Sequence, residues 1–215
     1  MGRLTAEHPL AALLDAAANG SFPPADGVVE LLGPPPGRAM AVVGFAAHFA
    51  VAADVDDGWV RGRLAPGDLH APLSPAFLAA LGARLGRRDD GVDLVLAARG
   101  LDGTPALTET GDAAHPRVTR AHAHRDGVRV FESAGGKAVV VLGHGLAERL
   151  EVAFEVDPAH RGGGLAAAAL VEARRLVGPA GVLYAQTAPA NVPSLRALLA
   201  AGFAPIGAEA LFFAP

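Results

Sequence analysis

The sequence has no cysteine. That absence excludes a thiol nucleophile, a zinc–thiolate site and any disulfide framework. Lysine is nearly absent too. Lys137 is the only one, so the basic residues are otherwise arginines, a bias that fits a GC-rich bacterial genome and carries no mechanism. Aromatic residues make up only 5% of a chain that is 51% hydrophobic, so the core must be built mainly from Ala, Val and Leu. Clustered positive charge is missing as well: the net charge is −4 and the pI is near 6.0, which speaks against nucleic-acid or anionic-membrane partners. No apolar run is long enough for a bilayer. The longest, Ala39 to Ala53, covers fifteen residues and is interrupted by Gly44 and His48. The start, Met1 to His8, lacks the apolar core of a signal peptide, so the expected location is the cytoplasm.

What is present is enough chain to bury a real core, with helix and strand patterns in both halves. Helices are expected over Thr5 to Ala18, Asp57 to Leu64, and Ser74 to Leu85, the last with Ser74 as cap and Pro75 at the first helical position. Strands are expected at Val28 to Leu32, Ala39 to Phe45, Phe49 to Ala53 and Asp93 to Ala98. Trp59 reads as a packing anchor. Gly100 to Ala114, rich in Gly, Asp and Thr, reads as the connection between halves. Beyond it, Arg117 to His124, Val128 to Ser133 and Lys137 to Leu142 look like three strands. Arg125-Asp126-Gly127 and Ala134-Gly135-Gly136 would be their hairpin turns. A strand from Leu150 to Val156, a helix to about Val177, a strand from Val182 to Thr187, a helix from Val192 to Ala201 and a last β segment to Phe213 complete the pattern. A meander followed by alternating strand and helix predicts a mixed α/β sheet.

The segment with chemical meaning runs from Val156 to Ala166: strand end, Asp157-Pro158-Ala159-His160-Arg161, then Gly162, Gly163 and Gly164, then the helix opening at Leu165. Backbone N–H groups in the first turn of a helix have no partner and sit at the positive end of the helix dipole. Three glycines let a phosphate approach them, and Arg161 adds charge beside them. A tight strand-to-helix connection would have the same shape. The segment is not a P-loop, because no Lys-Ser/Thr follows, and it lacks the dinucleotide spacing.

Arg161-x-x-Gly164-x-Ala166 resembles the pyrophosphate-binding motif of the GNAT acetyltransferase superfamily. Glu151 to Pro158 looks like that family's fourth strand, and Asn191 to Gly202-Phe203 like its last helix. The resemblance covers Leu150 to Phe203. It implies acetyl-CoA as co-substrate, with no metal, and the pyrophosphate at Arg161, Gly162, Gly163, Gly164, Leu165 and Ala166. It also implies a pantetheine arm paired with backbone near Phe154 to Val156, and a contact from Asn191, which reads equally as a helix cap. The sequence departs from the family at Leu198, where a tyrosine often protonates the departing thiolate. Tyr184 is the chain's only tyrosine.

An acceptor amine must lose a proton before it attacks, and a carboxylate can take it. Glu151 and Glu155 alternate onto one strand face and are the candidate bases, with a plain solvated face as the other reading. His122 and His124 would share a strand face at metal-like spacing, but no third ligand accompanies them. The expected organisation is an unassigned α/β region over 1–110, either completing the GNAT-like core or forming a degenerate copy, and a GNAT-like acyl-CoA-binding domain over 111–215. The expected activity is acetyl transfer to a small-molecule or peptide amine. A CoA-binding module without turnover is the alternative, and self-association into a homodimer is left open.

Overall fold

The computed structural model describes residues 8–111 and 115–215. Thr5 to Glu7 of the expected first helix, and Asp112 to Ala114 of the expected connection, lie outside the described residues. By contacts the chain falls into two units. The first comprises Met1–Val92, Leu146–Glu148 and Gly207–Pro215; the second comprises Asp93–Gly145 and Arg149–Ile206. The expected boundary after residue 110 therefore lies inside the second unit.

The first unit holds the helices α1 (Pro9–Ala18), α2 (Asp57–Arg61) and α3 (Pro75–Leu85). Its strands are β1 (Val29–Leu31), β2 (Met40–Phe45), β3 (His48–Ala52) and the greater part of β10 (Ala204–Phe213). They lie in the order β1-β3-β2-β10, with β1 and β3 parallel and the other pairs antiparallel. α3 begins and ends as its sequence dictates. Ser74 Oγ accepts from the Phe77 N–H at 3.3 Å, Pro75 opens the helix, and Gly86 closes it at φ 63°. The helix buries Phe77, Leu78 and Leu81 against Val42, Val51 and Phe212. Trp59 packs on the same cluster, with its ring centroid 6.1 Å from that of Phe77.

The second unit contains most of β4 (Arg88–Arg99) and the strands β5 (Thr108–Thr110), β6 (Asp126–Glu132), β7 (Ala138–His144), β8 (Leu150–Val156) and β9 (Val182–Thr187). Their order is β4-β9-β8-β7-β6-β5. Every neighbouring pair is antiparallel except β8 and β9, which are parallel. Helix α5 (Leu165–Val177) connects those two strands, as a parallel pair requires, and α6 (Val192–Ala200) follows β9. α5 and α6 cover one face through Leu170, Ala173 and Leu198, and the cluster includes Val140, Val152, Val156, Leu183 and Ala185. Alanine, valine and leucine dominate it, as the composition requires. Among the described residues no helix is long and apolar enough to cross a membrane.

Three expectations fail here. Arg117 to His124 is not a strand but lies within the helix α4 (Pro116–His124). His115 caps it, its ring accepting from the Arg117 N–H at 3.1 Å, and Pro116 occupies the first helical position. The deciding periodicity is three. Val118 and Ala121 are buried together against Val130, Val139 and Val141, and this packing overrides the β preference of Val118 and Thr119. Arg125-Asp126-Gly127 is consequently no hairpin turn; it carries the chain from helix to strand, and β6 has a register irregularity between Asp126 and Arg129. The segment from Gly100 also contains more than a connection, since β5 pairs Thr108 to Thr110 with Glu132 to Val130. The second expected hairpin stands: β6 and β7 are antiparallel, joined through Gly135 and Gly136 at φ 74° and 66°.

Candidate functional site

The site begins where two strands part. β8 keeps register with β7 at seven positions, from Leu150 to Val156, and β9 keeps register with β4 at six. Between themselves, β8 and β9 have one register position, Glu151 opposite Tyr184. Past that point no register pair joins the two strands, so the facing edges of Val152 to Val156 and Ala185 to Thr187 have no ladder between them. Backbone groups along a strand edge need partners, and where no neighbouring strand supplies them water or a ligand must.

β8 runs on through the glycine loop to the start of α5. Gly162 and Gly164 have φ of 87° and 78°, a conformation that glycine adopts without strain. Gly164 is the N-cap and offers no side chain to the helix, so the first amides of α5 stay available. A Cβ built on Gly162, Gly163 or Gly164 would meet nothing within 4 Å, which makes the approach to those amides open. Leu165 and Ala166 pack their side chains against the core. Arg161 is exposed and anchored: its Nε donates to the Val156 carbonyl at 3.0 Å, while Nη2 stands 3.8 Å from Glu155 Oε1. The loop can thus hold an anion by backbone amides, with a guanidinium fixed beside them.

Phe154 and Val156 belong to the β8 face that packs with α5. Asn191 caps α6, its Oδ1 accepting from the Ser194 N–H at 3.3 Å. Glu151 and Glu155 share the opposite β8 face but have different surroundings. The Glu151 side chain is 4% exposed and lies between two guanidiniums, with Arg125 Nε at 2.7 Å and Arg149 Nε at 2.8 Å. Burial pushes its pKa up, yet Arg149 and Arg125 outweigh burial and hold the carboxyl below its ordinary value. A carboxylate so stabilised has little tendency to take a proton. Glu155 is half-buried and reached by Arg117 of α4, whose Nη2 and Nε are 3.3 Å and 3.4 Å from its Oε2. It is the more accessible of the two.

Sequence reasoning did not find Arg125, Arg149 or Gln186. Arg125, at the end of α4, donates through Nε to Glu151 and through Nη2 to Gln186 Oε1 at 3.2 Å, linking a β8 side chain to a β9 side chain. Arg149 lies over the Tyr184 ring, 5.6 Å from its centroid. The alternation Arg149-x-Glu151 was a readable signal for one of these pairs. Arg125 had none, because it was assigned to a turn. Tyr184 is 2% exposed and Leu198 is fully buried in the α5–α6 core, so neither is a surface group. The shared strand face expected for His122 and His124 does not exist. They sit two apart on a helix, on different sides, and among the described residues no His, Asp or Glu group could hold a metal.

No protein-family model matches the chain, and no curated protein matches it. Solved structures do. One, assigned to the GNAT acetyltransferases, from Novosphingobium aromaticivorans, is 21% identical, with 59% of this chain and 66% of that one covered and a TM-score of 0.38. An acetyltransferase of the GNAT family from Colwellia psychrerythraea is 14% identical over 65% of this chain and 63% of its own, at a TM-score of 0.38. A GCN5-related N-acetyltransferase from Kribbella flavida is 18% identical over 64% and 63%, at 0.40. The match spans less than two thirds of the length of each of these structures, and the structures that this chain is similar to are GNAT-family acetyltransferases.

Proposed function

We propose that the second unit has a GNAT-like fold, binds acetyl-CoA, and transfers its acetyl group to a primary amine. The observation that carries this reading is the end of the β8–β9 ladder after Glu151 opposite Tyr184, together with a glycine-lined start of α5 that has no side-chain cap. An extended pantetheine arm fits a strand edge that lacks a ladder partner, near Phe154 to Val156. A pyrophosphate fits the amides from Gly162 to Ala166, with Arg161 beside them. Asn191 would act from the β9 side.

The chemistry is direct attack. The amine nitrogen bonds to the thioester carbonyl carbon, the C–S bond breaks, and the thiolate leaves and takes a proton. The amine must shed a proton, and Glu155, with its side chain 36% exposed, suits this role better than Glu151, which is 4% exposed and clamped at 2.7 Å and 2.8 Å between two buried guanidiniums. The test is release of free thiol from acetyl-CoA against a panel of amines, alongside the shift in melting temperature that acetyl-CoA produces. No shift at millimolar acetyl-CoA would refute the binding site.

A second reading, a CoA-binding module without turnover, has its own support. Leu198 is fully buried where the family often has a tyrosine, and Glu151 is locked in ion pairs. A clear melting shift with no thiol release on any amine would favour it.

A further inference from the structure

Gln186 stands two residues past Tyr184 on β9, so its side chain shares the strand face of Tyr184, the face turned to Glu151 at the point where β8 and β9 part. Its carboxamide orientation follows from a donor. Arg125 Nη2 donates to Oε1 at 3.2 Å, which commits the oxygen and leaves Nε2 as the other end of the group. That Nε2 is buried and has no hydrogen-bond partner. A buried donor without an acceptor is costly, and a fold that retains one is explained when the acceptor arrives with a ligand. Arg125 stands beside it: Nε serves Glu151 and Nη2 serves Gln186, and the side chain is 12% exposed.

We propose that Arg125 and Gln186 hold a carboxylate on the acceptor, so that the preferred substrate is an amine that also carries a carboxylate, such as an amino acid. The proposal rests on the acetyl-transfer reading above. A carboxylate has two oxygens, one to accept from Gln186 Nε2 and one to face the Arg125 guanidinium. A plain amine supplies no acceptor and leaves the Gln186 donor unpaired. Substrates lacking a group for which a buried donor waits are the ones a site rejects most strongly.

The experiment compares L-leucine with 3-methylbutylamine, and β-alanine with ethylamine, as acceptors for acetyl-CoA, reading free thiol. The carboxylated member of each pair should be favoured in kcat/KM by about tenfold or more. Gln186→Glu still accepts from Arg125 but removes the donor and repels a carboxylate. It should erase the preference through the KM of the carboxylated amines, leaving the KM for acetyl-CoA and the melting temperature unchanged. Equal use of both members by the wild type, or equal loss of both in the variant, overturns the proposal. If acetyl-CoA binds but no amine reacts, calorimetry of N-acetyl-L-leucine against N-(3-methylbutyl)acetamide on the CoA-saturated protein decides: binding that needs the carboxylate and fails in Gln186→Glu supports the proposal, and its absence overturns it. Should acetyl-CoA not bind, the acetyl-transfer reading falls, and the same calorimetry with L-leucine on the free protein judges the carboxylate site alone.

Discussion

Replacing Glu151 by Gln tests the centre of the second unit. The carboxylate accepts from Arg125 and Arg149 at 2.7 Å and 2.8 Å, and the three side chains are only 12%, 2% and 4% exposed for Arg125, Arg149 and Glu151. Removing one member of a buried ion pair costs about 3–5 kcal/mol, because the remaining charge loses its compensation without regaining water. The substituted carboxamide would keep one acceptor oxygen but set its N–H₂ against a guanidinium, so a loss near the lower end, about 3 kcal/mol, is expected. The loss should depend on pH. Glu151 has a lower pKa folded than unfolded, so its contribution is complete above the ordinary glutamate value of about 4.3 and fades as pH falls through the depressed folded value. Urea unfolding of both proteins from pH 7 down to about pH 3 measures the difference. It should be largest at neutral pH and shrink in the acid range. A Glu151→Gln protein within about 0.5 kcal/mol of wild type at pH 7 would refute the reasoning, as would a difference that ignores pH.

Gly164→Val should cost about 1–2 kcal/mol from its positive φ, leave the fold intact because the added side chain meets nothing, and abolish the melting shift caused by acetyl-CoA. A variant that still responds to acetyl-CoA like wild type places the anion elsewhere. Asn191→Ala should lose about 1 kcal/mol of capping, whereas Asn191→Asp should keep the cap. Calorimetry with CoA then separates the two roles, since only a direct contact makes both variants bind weakly. Leu198→Ala, at a fully buried position, should destabilise by about 3 kcal/mol in urea, and a loss below about 1 kcal/mol would mean that α6 packs differently. Leu198→Tyr should destabilise as well and leave any turnover no faster, because a ring at a position with no exposure overpacks the core.

Local features were legible because each is decided within a few residues. Ser74-Pro75 caps α3, Gly135-Gly136 turns β6 into β7, Asn191 starts α6, and Gly162 to Gly164 open onto α5; every one stands where its residue types require. Composition likewise determined a core of Ala, Val and Leu. The failure at Arg117 to His124 has a local cause too: a nine-residue helix with two buried anchors, Val118 and Ala121, carries too little periodicity to outweigh its β-branched residues until the sheet beneath it is known.

Long-range pairing was beyond the sequence. That β8 and β9 would share one register position and then part depends on how Val152 to Val156 lies against a strand that follows only after a whole helix. The candidate base is the clearest case. As residue types on an alternating strand, Glu151 and Glu155 are equivalent; only the folded chain brings Arg125, 26 residues away, onto Glu151 and leaves Glu155 within reach of solvent. The same Arg125 meets Gln186 across 61 residues of chain, a contact that no periodicity announces. Caps, turns and helix starts are set by the backbone's own nearest groups, so sequence alone determined them. The availability of a buried side chain is set by whatever the tertiary fold packs beside it, and for Glu151, Glu155 and Gln186 only that packing decided.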